Sequence, residues 1–220
     1  MSYNVDDIKK DVRVALDQNM ISTQLANLGD IDTLSLDDII ESKIIDAAKI
    51  AEAEAPISLI DNAVSLPVGT INWKSAVGVG MGEIDLPTDF MRLVIFRMSD
   101  WSRSGKIITD TDPLYALQSS RFPGIRGNPQ KPVVAICRYP TKLALEFYSS
   151  TAGSSVFVRQ ASYLAIPSVT ETDGKKTIDI STLCYRSVIY FAAYLTALAY
   201  FDDSKNLENL KSTAEAFLKV

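Results

Sequence analysis

Residues 187–201 read SVIYFAAYLTALAYF. The spacing predicts a helix over residues 181–201 that is apolar almost all round, and such a helix is stable only where other elements enclose it. The run falls short of the ~18–20 apolar residues a bilayer core requires, and Asp202-Asp203 closes it directly. It is therefore expected at the centre of a bundle or at a subunit contact, with no membrane as partner. Tyr185, Tyr190, Phe191, Tyr194, Tyr200 and Phe201 decorate it. Core packing, with hydroxyls reaching the bundle edge, is the preferred reading over a base-stacking surface.

Such a helix needs neighbours, and the sequence offers three. After Asp202-Asp203, Ser204 caps a last helix with Leu207, Leu210, Ala214, Phe217 and Leu218 as its stripe. At the other end, Asn4 caps a helix whose apolar face is Val5, Ile8, Val12, Ala15, Leu16 and Met20. Ser35 caps another, striped by Leu36, Ile39, Ile40, Lys43, Ile44, Ala47, Ala48 and Ala51 and stopped by Pro56. Residues 1–56 and 179–220 are thus expected to close one helical bundle.

Between them the period changes. Short apolar runs alternate with Gly, Pro, Asn and Asp clusters, and predict strands at 69–74, 82–86, 91–98, 133–139, 143–148 and 156–166. The expectation is an α+β protein in which residues 57–178 form an inserted, antiparallel β-rich domain. A long loop is expected at 110–132, with one helical turn started by Asp112-Pro113. Loops of this length are uncommon unless they bind something.

Composition narrows the chemistry. The chain has 220 residues, no histidine and two cysteines. Serine–histidine triads, histidine zinc sites and two-histidine facial triads all need a residue that is absent. Cys137 and Cys184 form no C-x-x-C and are expected as buried thiols. Gly78-Val79-Gly80-Met81-Gly82 lacks the following helix of a phosphate loop and reads as a hairpin turn. Asp6, Asp7 and Asp11, like Asp37, Asp38 and Glu41, sit where helix starts favour negative charge, which outweighs a metal site. Asp110-Thr111-Asp112 lacks the glycine and glutamate of a calcium loop. No catalytic residue, cofactor or metal is expected. The first ten residues, MSYNVDDIKK, are polar and acidic, so no secretory signal is expected.

The net charge of −5 is uneven: residues 1–55 carry −7, residues 56–178 carry +3 and residues 179–220 carry −1. Positions 92–142 hold nine basic side chains against Asp100, Asp110 and Asp112. Opposite bias within one chain suits electrostatic complementarity between copies, or a basic face near an anion. Ordinary solvated charge around a sheet is the plainer alternative. Arg121, Arg126 and Lys131 lie in the Pro/Gly loop with little core role, and with Arg103 and Lys106 they are the candidates to contact a partner or DNA phosphates.

Four strings then carry a resemblance. IDLPTDFMRLV at 84–94 and FRMSDW at 96–101 resemble segments of head–tail connector proteins of tailed bacteriophages, and RGNPQKPV at 126–133 and LEFYS at 145–149 are similar to those of the crAss-like group of short-tailed phages. The likeness spans most of residues 80–150. It implies a virion protein made in the bacterial host cytoplasm and residing in the neck at the portal vertex. It further implies a ring of identical copies, usually twelve, docked to the portal protein and to further neck or tail proteins. Double-stranded DNA would pass non-specifically through the lumen. The resemblance brings no catalytic motif. The alternatives are a carboxylate-dependent hydrolase working through an Asp/Glu pair and a generic bacterial protein-binding module.

Overall fold

The computed structural model describes residues 1–19, 36–74, 80–120, 122, 124–150, 156–200 and 204–219. Helix takes 38% and strand 33%, so the fold is mixed α and β, with the strands divided among several sheets. The chain groups into two compact units, Met1–Asn62 with Ile166–Val220, and Ala63–Ala165.

The first unit begins with strand β1 (Ser2–Asn4) and helix α1 (Val5–Asn19). Asn4 Oδ1 accepts from the Asp6 amide at 2.9 Å, which satisfies one of the unpaired N–H groups at the helix start. Helix α2 (Leu36–Glu54) follows, and Pro56 lies just beyond its end. The expected cap Ser35 and the stripe residue Met20 lie outside the described residues. Buried Val5, Ile8 and Val12 of α1 and Ile40, Ile44, Ala47 and Ala48 of α2 share one core with Val188, Ala192 and Ala193 further on.

In the second unit, β2 (Val64–Ser65) pairs with β9 (Val158–Ala165), and β9 with β5 (Phe90–Met98), in one three-stranded sheet. A five-stranded sheet runs in the order β3 (Asn72–Lys74), β4 (Gly80–Asp85), β8 (Leu143–Ser150), β7 (Val133–Arg138), β6 (Lys106–Thr109). Phe96 and Met98 of β5 form one core with Trp101, with Val134 of β7 and with Leu145 and Phe147 of β8. Gly82 stands opposite Phe147 in the register, and a Cβ there would lie 2.1 Å from Phe147 Cζ. Only glycine leaves that ring its place.

One expectation fails here. The β-rich stretch is not wholly antiparallel, because β6 and β7 run parallel, Lys106 opposite Val133 through Thr109 opposite Ile136. A parallel pair needs a crossover of a dozen or more residues, and residues 110–132 supply it. That long segment therefore has a structural reason. It carries the short helix α3 (Pro113–Leu117), capped by Asp112, whose side chain accepts from the Leu114 amide at 2.8 Å.

The sheet boundary also differs from the expected 57–178. Strands β10 (Val169–Thr172) and β11 (Lys175–Asp179) belong with the helices, because β11 pairs with β1. Asp173 and Gly174 turn that hairpin with φ of 51° and 71°, the left-handed pair that a two-residue hairpin loop requires.

Helix α4 (Tyr185–Tyr200) then packs against α1, α2 and α5 (Ser204–Ala216). The run Thr182–Ala199 is long and apolar enough, by length and composition, to cross a membrane, and half of it is buried within the protein. Packing against three helices accounts for its apolar character. Tyr185 stacks on Tyr3 with ring centroids 4.4 Å apart and donates to Asp11 at 2.8 Å. Cys137 and Cys184 are both buried, and neither is in a disulfide.

Candidate partner-contacting surface

The five expected contact residues separate in the structure. Arg121 lies outside the described residues. Arg126 is half-buried, and its guanidinium donates to the Ser120 carbonyl at 3.3 Å, so it braces the crossover. Arg103, Lys106 and Lys131 are exposed and are brought to one corner.

That corner is built by backbone bonds. Trp101 is buried, its ring edge-on to Phe96 and Phe147, and it anchors the chain just before Arg103. Arg97 of β5 donates to the carbonyls of Trp101 and Ser102 at 3.2 and 3.1 Å. Ser102 donates both its amide and its hydroxyl to the Pro129 carbonyl at 3.0 Å, and the Lys106 amide donates to Pro132 at 2.8 Å. Lys131 lies between those two acceptors, in a turn that Asn128 closes by accepting from the Gln130 and Lys131 amides. The three cations thus ride on two segments cross-linked at both ends. Among the described residues, none of them has an ion-pair partner.

Upstream the crossover is braced just as firmly. The buried Gln118 side chain donates to the Leu114 carbonyl at 2.9 Å and accepts from the Gly127 amide at 2.8 Å. Yet Phe122 is 69% exposed and Ile125 53%. Two large apolar side chains held in water make this segment a candidate docking arm.

The sequence reading missed a second polar assembly, on the face of the five-stranded sheet away from Phe147. Glu83 of β4 and Glu146 of β8 are direct register partners, and both are buried. Lys74 Nζ bridges them, at 2.5 Å from Glu83 and 2.8 Å from Glu146. Lys142 pairs with Glu83 at 2.5 Å and Asp85 at 2.7 Å. Tyr139, Tyr148 and Tyr115 donate to Glu146 at 2.5, 2.7 and 3.1 Å. Burial pushes the Glu146 carboxyl up, but Lys74 and the tyrosines outweigh it and bring it down to about 2. Glu83 is also held low, burial being outweighed by Lys142 and Lys74. A charged residue inside the apolar run LALEFYSS, two positions before a tyrosine, was the available signal.

This pair does not have the form that acid–base chemistry uses. A glycosidase pair keeps one carboxyl raised as the acid, whereas Glu83 and Glu146 are both lowered and filled by internal donors. The assembly reads as a cross-strand brace. Two open apolar grooves lie among the described residues. One, of about 670 Å³, runs along Val68, Ile71, Trp73 and Phe157, and the other, of about 560 Å³, lies between α2 and α4 under Lys43 and Lys49. The first has no charged side chain in its lining, and the second adds Asp46 to the two lysines. Among the described residues, no cluster of three or more metal-ligating side chains occurs.

The structural division sharpens the charge map. Residues 63–165 hold eleven basic and seven acidic side chains, a net +4, while the helical unit holds eleven and twenty, a net −9. Three of those seven acids, Glu83, Asp85 and Glu146, are paired with Lys74 and Lys142. No protein-family model matches the chain, and no curated protein matches it.

Proposed function

We propose that this chain is a structural subunit of a phage virion, a head–tail connector whose copies form a ring at the portal vertex around the path of double-stranded DNA. In this reading the helices form one bundle carrying the β-rich unit as a single insertion. The partners are further copies of itself, the portal protein and other neck or tail proteins.

The observation that carries the reading is the charge division, −9 in one unit against +4 in the other. A cyclic head-to-tail assembly joins unlike patches of successive copies, so a chain of two opposite halves is suited to it. The four strings resembling connector proteins fall in or beside the positive unit and include both the Arg97–Trp101 corner and the Asn128–Lys131 turn. Cations on a braced corner give dispersed phosphate contact without base readout, which suits DNA that slides.

The test is native mass spectrometry and electron microscopy of the chain mixed with portal protein. Closed rings seated on the portal, twelve copies in each, are expected. A chain that neither closes into rings nor binds portal at any ratio sinks the reading.

A further inference from the structure

Glu52 of α2 has no exposed surface. Its Oε1 accepts from the Ser181 amide and from Asn62 Nδ2, both at 2.9 Å. Its Oε2 is also buried and has no partner among the described residues, and Asn62 Oδ1 is in the same condition. Two unmatched acceptors therefore sit on two side chains already bonded to each other. A buried acceptor left unmatched is destabilising, and a buried carboxylate without a cation is more so.

One proton repairs both defects. A hydroxyl at Oε2 is a donor, and a carboxylic acid facing a primary amide makes two antiparallel bonds, amide N–H to carboxyl oxygen and carboxyl O–H to amide oxygen. The charged groups facing this site supply no alternative. Asp179 of β11 is negative, and the Met1 ammonium is engaged with Asp179 at 2.9 Å and the Ile180 carbonyl at 3.1 Å. Asp61 accepts from the Thr182 amide at 2.9 Å and shares the single Ser181 hydroxyl proton, at 2.9 Å, with the Leu59 carbonyl. The Cys184 thiol is buried, 3.9 Å from the Leu59 carbonyl. Burial moves Glu52 towards its neutral form, against the Ser181 and Asn62 bonds.

The place of this group in the fold gives it a role. Asn62 is the residue at which the chain leaves the helical unit. Ser181 holds the same stretch, donating its hydroxyl to the Leu59 carbonyl and accepting from the Asp61 amide at 3.2 Å. We propose that Glu52 is held as a neutral carboxylic acid in a cyclic pair with Asn62, and that this pair is a proton-gated latch on residues 59–62. Ionisation sends the Oε2 proton to solvent, leaves Asn62 Oδ1 facing an anionic acceptor and frees the stretch.

Infrared spectroscopy of the full chain at neutral pH tests the protonation. A carbonyl band of protonated carboxyl is expected in the wild type, missing from Glu52→Gln and shifted in Asn62→Leu. Hydrogen exchange at the Asp61 and Thr182 amides tests the latch. Protection should fall with rising pH by more than base catalysis explains in the wild type, and not in Glu52→Gln. The folding constant of the wild type should drop relative to Glu52→Gln by up to tenfold per pH unit between the ordinary carboxylate range and the folded titration, the limit for one proton, and level off above it. No carboxylic acid band at neutral pH overturns the protonation, and does so in the wild type alone if the variants fail to fold. A band present with unaltered amide protection overturns the latch.

Discussion

Tyr115 reaches from the crossover helix and donates its hydroxyl to Glu146 Oε2 at 3.1 Å, tying α3 to the middle of a sheet. The acceptor is the most heavily used carboxylate described in the chain. Lys74, Tyr139 and Tyr148 converge on it as well.

Glu146→Gln is therefore expected to cost about 3 kcal/mol near neutral pH, because Lys74 loses half of its compensation inside the sheet face. The pH dependence has a definite sign. The folded carboxyl titrates at about 2 against an ordinary 4.5, so its stabilisation is fully present above the ordinary value and is lost as pH falls towards the folded one. Urea unfolding across the acid range should show a flatter limb in Glu146→Gln than in the wild type. Parallel limbs would remove Glu146 from the account.

Tyr115→Phe removes only the tether. It should cost about 1 kcal/mol and make residues 110–132 the first site of limited proteolysis. Cleavage elsewhere at the wild-type rate would show that Gln118 and Asn128 hold the crossover unaided.

Gly82→Ala places a methyl carbon where Phe147 Cζ lies, with 2.1 Å between them. Displacing a ring packed against Trp73, Phe96 and Trp101 should cost about 1–3 kcal/mol. Combining Gly82→Ala with Phe147→Leu should cost less than the sum of the two single changes, since the clash is then absent. Strict additivity in chemical unfolding would refute the steric explanation.

Replacing Arg103, Lys106 and Lys131 together with Ala should leave the unfolding midpoint nearly unchanged, because all three project from backbone held by other groups. Binding to double-stranded DNA or to an assembly partner should weaken, and the salt dependence of DNA affinity should fall by up to about three phosphate contacts. An unchanged salt slope measured by fluorescence anisotropy would take the corner out of DNA contact.

Phe122→Ser should alter stability by less than about 0.5 kcal/mol, since the ring is already largely in water. If the arm docks on a partner, the same change weakens portal or self-association, read by sedimentation. Equal association in both proteins would return Phe122 to the ordinary surface.

The helices were legible because their burial repeats along the chain. Val5, Ile8 and Val12, and Ile40, Ile44 and Ala47, announce one face each at helical spacing. Strands β4, β5, β7, β8 and β9 were legible within a few residues for the same reason. The parallel β6–β7 pairing was not, because direction depends on where a crossover lands and the four residues of β6 carry too little pattern. The Asp173-Gly174 hairpin was not read from the sequence, because the strands it joins, VTET and KKTID, are polar and offer no apolar alternation. Of the contact candidates, Arg103, Lys106 and Lys131 form a corner only because Ser102 meets Pro129 across 27 positions. Arg126 looked alike in sequence, and its bond to Ser120 made it a brace. The Glu83–Lys74–Glu146 bridge joins three strands, so the glutamate inside LALEFYSS could mark one member locally but not its partners.

The parallel pairing of β6 with β7 also orders events in time. The β7–β8 hairpin joins residues a few positions apart and can zip early, whereas β6 must wait until the whole crossover is closed. Until then, the Val133–Ile136 edge stands open with a run of Val, Val, Ala and Ile, the type of unpaired apolar edge that recruits other chains. The vulnerable moment of this protein is thus late in folding, and refolding yield should depend on concentration more steeply than its final stability would imply.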